Sequence, residues 1–191
     1  DNDVGIINNI VNANLFGKKY LFILDEIMNK SDTVSVKNTC TSVKNLIITH
    51  NERCSLIKDN IYVSDIKFAD NIVSLTEEGF THVVSLTGKY VTQSDSGTIY
   101  YHINIPDKAT INFIDEVSEC VSQLIKIPEN SKILCHCFSG VSRSVLFASI
   151  LIIHKYGFTF DDALDVVKNN RSVSNPNPDL VKQISDRLSS D

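Results

Sequence analysis

Apolar positions change their spacing several times along the chain, and each change marks a different predicted element. Ile7, Ile10 and Val11 fall on one helical face before Gly17, and a second apolar stretch runs from Tyr20 to Met28. Residues 1–30 therefore read as helical in parts. Residues 31–55 are rich in Ser, Thr, Asn and Val, with a short strand-like run at Leu46–Thr49. A boundary is placed near Asn51–Ser55, and the signals sharpen from Ile57 onward. Ile61–Val63 reads as a strand, and Ile66–Glu78 as a helix stopped by Gly79. Thr81–Thr87 is strand-like around Val83 and Val84. A loop holding Gly88 and Gly97 leads into Ile99–Ile105, where Tyr101, Ile103 and Ile105 alternate with polar residues.

The second half is more regular. Ile111, Ile114, Val117, Val121, Leu124 and Ile125 recur at helical spacing. Pro128–Ser131 turns the chain into a short buried strand, Lys132–His136, and Ser144–Tyr156 follows as an apolar helix ended by Gly157. Thr159 caps a helix over Phe160–Asn170, and Asn177 caps a last one with Pro178 at its first position. Strands alternating with helices predict an α/β domain over residues 56–191, a central, mostly parallel sheet flanked by helices. Residues 1–55 are a short, partly helical N-terminal extension on this reading.

Composition narrows the classes of function. A chain of 191 residues, 42% hydrophobic and 21% charged, suits one soluble domain with a core and an appendage. The net charge of -5 argues against a general nucleic-acid binder, while leaving room for a local anion site. The longest apolar runs, Tyr20–Leu24 and Val145–Ile153, fall short of a membrane span, and Asp1-Asn2-Asp3 lacks the basic start of a secretory signal. Five cysteines (Cys40, Cys54, Cys120, Cys135 and Cys137) form an odd set without repeating spacing, which disfavours both a disulfide framework and a zinc site. No metal or cofactor is expected. Cys40, Cys54 and Cys120 read as small buried hydrophobes.

Candidate chemistry lies between the strand 132–136 and the helix 144–156, in the run His136-Cys137-Phe138-Ser139-Gly140-Val141-Ser142-Arg143-Ser144. Backbone N–H groups of residues 137–143 can curl around an anion while the helix N-terminus points its positive end inward. A Cys137 thiolate there is stabilised by those dipoles and by Arg143, so its pKa should fall. The five residues between Cys137 and Arg143 let the loop close. The planar guanidinium then faces the sulfur and can grip two phosphoryl oxygens. Gly140 allows close backbone approach.

This run resembles the signature of the dual-specificity protein phosphatases, within the cysteine-dependent protein tyrosine phosphatase superfamily. Further likeness extends over most of residues 57–187: Ile61-Tyr62-Val63-Ser64, Ala69, Leu75, Gly79 and Thr81-His82-Val83-Val84, then Arg171, Pro176-Asn177, Leu180 and Gln183. Leu180 stands where an aromatic is usual. The resemblance implies a protein-tyrosine-phosphatase-like fold and a two-step reaction through a phosphocysteine on Cys137. It implies that Ser144 helps expel the thiolate, that His136 holds the loop, and that an Asp on a preceding loop protonates the leaving group. Tyr100, Ile103, Asp107, Asn112 and Phe113 match the family spacing around that acid. Asp107 is favoured over Asp115, which falls within a helical run.

Residues 56–191 leave no room for the longer catalytic domains of tyrosine-specific relatives, so a shallow site accepting phosphotyrosine and phosphoserine/threonine is expected. Phe138, Ser139, Val141 and Ser142 carry no charge, whereas lipid-directed relatives place lysines in this loop. RNA-triphosphatase relatives end it Asn-Arg-Thr, against Ser142-Arg143-Ser144 here. A small atypical member acting on phosphoproteins is implied, with a protein kinase as one candidate partner, no nucleic acid or membrane, and an intracellular, cytoplasmic or nuclear location. A phosphatase for phosphoinositides or RNA 5′-triphosphate is the alternative, and a phosphoprotein-binding pseudophosphatase is a further one. Cys54, Cys120 and Cys135 are candidate redox partners of Cys137, or simply packing residues.

Overall fold

The computed structural model describes residues 4–8, 19–88 and 97–190. The chain divides into two compact units, Asp1–Glu52 and Arg53–Asp191.

The first unit is helical, with residues 4–8 in one short helix, α1 over Lys19–Lys30 and α2 over Val34–Arg53. Ile7, Leu24, Ile27, Cys40 and Val43 form its buried cluster. The strand expected at Leu46–Thr49 is absent, because α2 runs through it. Tertiary packing overrides the β-like composition. Cys40 and Val43, one helical turn apart, are packed in the cluster. Within the helix, Thr39, Thr41 and Ser42 satisfy their hydroxyls on the carbonyls of Ser35, Lys37 and Asn38 at 2.9, 2.9 and 3.1 Å. Ile10, Val11 and Gly17 lie outside the described residues.

The second unit is the expected α/β domain. Its strands are β1 (Cys54–Lys58), β2 (Ile61–Ser64), β3 (His82–Ser85), β4 (Ile99–His102) and β5 (Ile133–His136). They form one sheet in the order β1-β2-β5-β3-β4, parallel throughout except that β1 runs antiparallel to β2. The helices are α3 (Ile66–Ala69), α4 (Ile72–Glu77), α5 (Phe113–Leu124), α6 (Arg143–Tyr156), α7 (Phe160–Asn170) and α8 (Pro178–Leu188). The helix expected over Ile66–Glu78 is broken at Asp70 and Asn71. Asp65 caps the first piece through Phe68 N–H at 2.7 Å, and the Asn71 N–H turns back to the Phe68 carbonyl at 3.1 Å. Two strand expectations shorten: 81–87 to His82–Ser85 and 99–105 to Ile99–His102.

Strand side chains alternate between two cores, as the two-residue period requires. Ile61, Val63, Val84, Ile133 and Cys135 enter the larger cluster with α5, α6, α7 and α8, while Val83 and Leu134 enter the smaller one with Phe68, Leu75 and Phe80. The helix α6 is buried from Ser144 to Ile152 and ends on Gly157 in the left-handed conformation, φ 72°. β5 lies between β2 and β3, with Ser64, His136 and Ser85 level at their carboxyl ends. The loop leaving β5 thus opens in the crevice where ligands of parallel α/β sheets bind. No helix among the described residues is long and apolar enough to cross a membrane.

Candidate active site

Cys137 is the first residue beyond β5, and the chain curls from it into the first turn of α6 at Arg143. Ser142, at the N-cap position of α6, makes no side-chain cap bond, so the N–H groups of that first turn remain available to an anion. Gly140 supplies the sharpest bend, with φ 69°. A Cβ there would come within 2.5 Å of the Ser64 carbonyl oxygen and 2.7 Å of Arg171 Nη2. Only glycine fits this close approach without displacement.

Cys137 Sγ lies 3.3 Å from Ser144 Oγ. Burial alone would push its thiol up. The Ser144 hydroxyl and N–H, the Arg143 charge and the Gly140 N–H outweigh that, and the thiol is held below its ordinary 9.0. The other cysteines behave oppositely. Burial, with Glu119 nearby, pushes Cys120 up to about 12, and burial also raises Cys54 and Cys135 strongly. All five cysteines are buried and unbridged. Of Cys54, Cys120, Cys135 and Cys137, Cys137 alone is shifted toward the thiolate.

Arg143 is braced from one side. Its Nη1 donates to the carbonyls of Leu86 and Ile105, both at 2.9 Å, so the segments leaving β3 and β4 fix the guanidinium plane. Its buried Nε has no hydrogen-bond partner among the described residues. His136 is fully buried, and its Nδ1–H donates to the Cys137 carbonyl at 3.3 Å. Burial drives its pKa down to about 4, leaving a neutral ring that shapes the loop. Phe138 and Ser139 are exposed at the rim. The Phe138 carbonyl accepts from Ile66 N–H at 3.1 Å, and the Val141 carbonyl from Asn175 N–H at 3.0 Å.

Of the two candidate acids, Asp107 is the one bonded to this loop. Ser142 Oγ donates to Asp107 Oδ1 at 2.6 Å. Asp115 sits in the first turn of α5, behind the Asn112 cap. The structure thus brings together Cys137, Arg143, Ser144, His136 and Asp107, with residues 138–142 forming the loop between them.

Sequence reasoning named Arg171 only as part of a family pattern, yet it is the prop beneath the loop. It is 2% exposed, donates from Nε to the Gly140 carbonyl at 2.7 Å and from Nη1 to Ser55 Oγ at 3.0 Å. Holding that carbonyl outward leaves the Gly140 N–H facing the sulfur. A lone arginine following a helix that packs behind a phosphate loop was the available signal.

Among known proteins, a family model described as the dual specificity phosphatase catalytic domain matches residues 61–188. The chain is 29% identical over 133 residues to dual specificity protein phosphatase 1 of Arabidopsis thaliana, spanning 69% of this chain and 67% of that protein. It is 26% identical over 131 residues to dual specificity protein phosphatase 1B of the same plant, spanning 68% and 78%. The fold matches the crystal structure of human DUSP28 with a TM-score of 0.64 at 16% identity, over 72% of this chain and 93% of that one. With the thiolate loop, its arginine and its serine already in place on that fold, the chain belongs to the dual specificity phosphatases and is a cysteine-based protein phosphatase.

Proposed function

We propose that the chain hydrolyses phosphotyrosine and phosphoserine/threonine in proteins through a phosphocysteine on Cys137. The observation that carries this reading is the pairing of a stabilised thiolate with a carboxyl bonded to the same loop. In the first step the Cys137 thiolate attacks phosphorus and the bond to the leaving oxygen breaks. That oxygen takes its proton from Asp107, a transfer worth about 10²–10⁴-fold. Arg143 Nε and the loop N–H groups hold the equatorial oxygens as charge grows on them. In the second step water attacks phosphorus and gives its proton to the Asp107 carboxylate. The sulfur–phosphorus bond breaks, inorganic phosphate leaves, and the Ser144 O–H donates to the departing thiolate, 3.3 Å away.

A loop free of lysine and rimmed by exposed Phe138 supports an apolar, protein-like substrate over a polyphosphorylated lipid ring or an RNA end. A phosphorylated protein kinase is one such substrate. Five unbridged thiols suit a reducing intracellular compartment, cytoplasmic or nuclear. The test is activity measured side by side on phosphotyrosyl and phosphothreonyl peptides, a phosphoinositide and a 5′-triphosphate RNA. Turnover of both peptides well above the other two is expected. Preference for the lipid or the RNA would overturn the substrate class while leaving the chemistry of Cys137 intact.

A further inference from the structure

Pro176-Asn177, Leu180 and Gln183 belong to the sequence pattern that resembles the family, yet no step of the reaction above uses them. The side chains of Asn177 and Gln183 converge on the acid loop. We propose that α8 is the positioning element for Asp107, with Asn177 and Gln183 clamping the acid loop at its two ends; this rests on Asp107 being the acid.

Residues 106–110 are exposed, and the stretch 106–111 lies in no helix or strand, with a single turn at residues 109–110. Such a segment depends on side chains from elsewhere for its conformation. At its start, Asn177 Nδ2 donates to the Asp107 carbonyl at 2.9 Å. At its end, Gln183 Nε2 donates to the Ile111 carbonyl at 2.7 Å, and Gln183 Oε1 accepts from Phe113 N–H at 3.0 Å. The clamp is itself rigid, because Leu180 and Ile184 are fully buried and Asn177 Oδ1 caps α8 through Asp179 N–H at 2.9 Å.

Asn177 also fixes which way Ser142 points its proton. The backbone N–H of Asn177 donates to Ser142 Oγ at 2.9 Å, while Ser142 Oγ lies 2.6 Å from Asp107 Oδ1. A hydroxyl has one proton, and an N–H can only donate. Ser142 therefore accepts from Asn177 and donates to Oδ1. The acid's own proton is left on Oδ2, the oxygen free to meet the leaving group. The ring of three bonds through Asp107, Ser142 and Asn177 thus sets both the place of the carboxyl and the oxygen that gives up the proton.

The experiment compares aryl phosphates across a range of leaving-group pKa, using the full chain and its Asn177→Ser variant. Serine retains a helix-capping oxygen but loses the amide donor. A loosened acid loop should lower kcat/KM roughly tenfold for the poorest leaving groups and little for the best, since small misplacements are costly only to steps that need the group. Vanadate affinity and the rate of Cys137 alkylation should stay within about twofold, and adding Asn177→Ser to Asp107→Ala should cost nothing more. Gln183→Glu, which keeps the acceptor for Phe113 N–H and removes the donor, should show the same pattern should Asn177→Ser fold poorly. A loss equal for all leaving groups, or one that adds fully to Asp107→Ala, overturns the clamp. If Asp107→Ala shows no leaving-group dependence, the acid assignment fails and the clamp with it. If Asp107→Ala shows it and neither α8 variant does, the clamp alone fails.

Discussion

Adding one methyl group at Gly140 separates two costs that the loop imposes, because Gly157 offers an internal control. Both glycines are left-handed, at φ 69° and 72°, so either alanine variant bears the backbone cost of about 1–2 kcal/mol. At Gly157 nothing lies within 4 Å of the new Cβ, and that cost stands alone. At Gly140 the Cβ would sit 2.5 Å from the Ser64 carbonyl oxygen, well inside ordinary contact. Ser64 is paired with His136 at the centre of the sheet, so the loop must move instead. Overpacking of this kind adds about 1–3 kcal/mol. With roughly 2–4 °C lost per kcal/mol in a chain of this size, Gly140→Ala should melt clearly below Gly157→Ala. The activities should diverge further. A shift of about 1 Å in the groups around phosphorus costs on the order of 10²-fold in kcat/KM, whereas Gly157→Ala should keep wild-type turnover. Thermal melts followed by circular dichroism, with aryl phosphate kinetics on the same samples, measure both. Equal melting of the two variants with full activity in Gly140→Ala would refute the close-packing account of the loop.

Three other outcomes follow from the site. Cys137→Ser should fold and still bind oxyanions but lose turnover, and iodoacetate inactivation of the parent should titrate with a midpoint below 9.0. Asp107→Ala should slow poor leaving groups by about 10²–10⁴-fold while Asp115→Ala should not; the reverse pattern would move the acid onto α5. His136 titrates near 4 in the fold against 6.5 for an ordinary histidine, so the unfolded chain binds more protons between those values. Its contribution to stability is therefore whole above pH 6.5 and falls away as the pH drops toward 4, by roughly 3 kcal/mol. Denaturant titrations of the parent and His136→Asn across that window should differ in slope, and identical slopes would remove the assignment.

What could be read from sequence was what local chemistry dictates. The stretch from β5 through α6 was legible because a phosphate loop restricts residue type at almost every position. Thr159, Asn177 and Pro178 marked helix starts because caps act within three residues. β1 was missed for a visible reason: Ser55 points inward and Leu56 is exposed, the reverse of the usual alternation. Leu46–Thr49 misled because the helix that runs through it is held by Cys40 and Val43, upstream of that stretch. The bonds from Asn177 and Gln183 to the acid loop span 70 and 72 residues, and no periodicity records contacts that distant.

Inverted β1 also bears on where the working protein starts. The family model matches from residue 61, but the guanidinium that holds Gly140 reaches back to Ser55. A fragment trimmed to the residues that model matches would discard that partner of Arg171 and turn β2 into an open sheet edge. Such a fragment would keep every residue that touches phosphate and still lose the brace behind the loop. Its failure in an activity screen would then reflect a cut made six residues inside the structural unit that supports the chemistry, counting from Ser55 to Ile61.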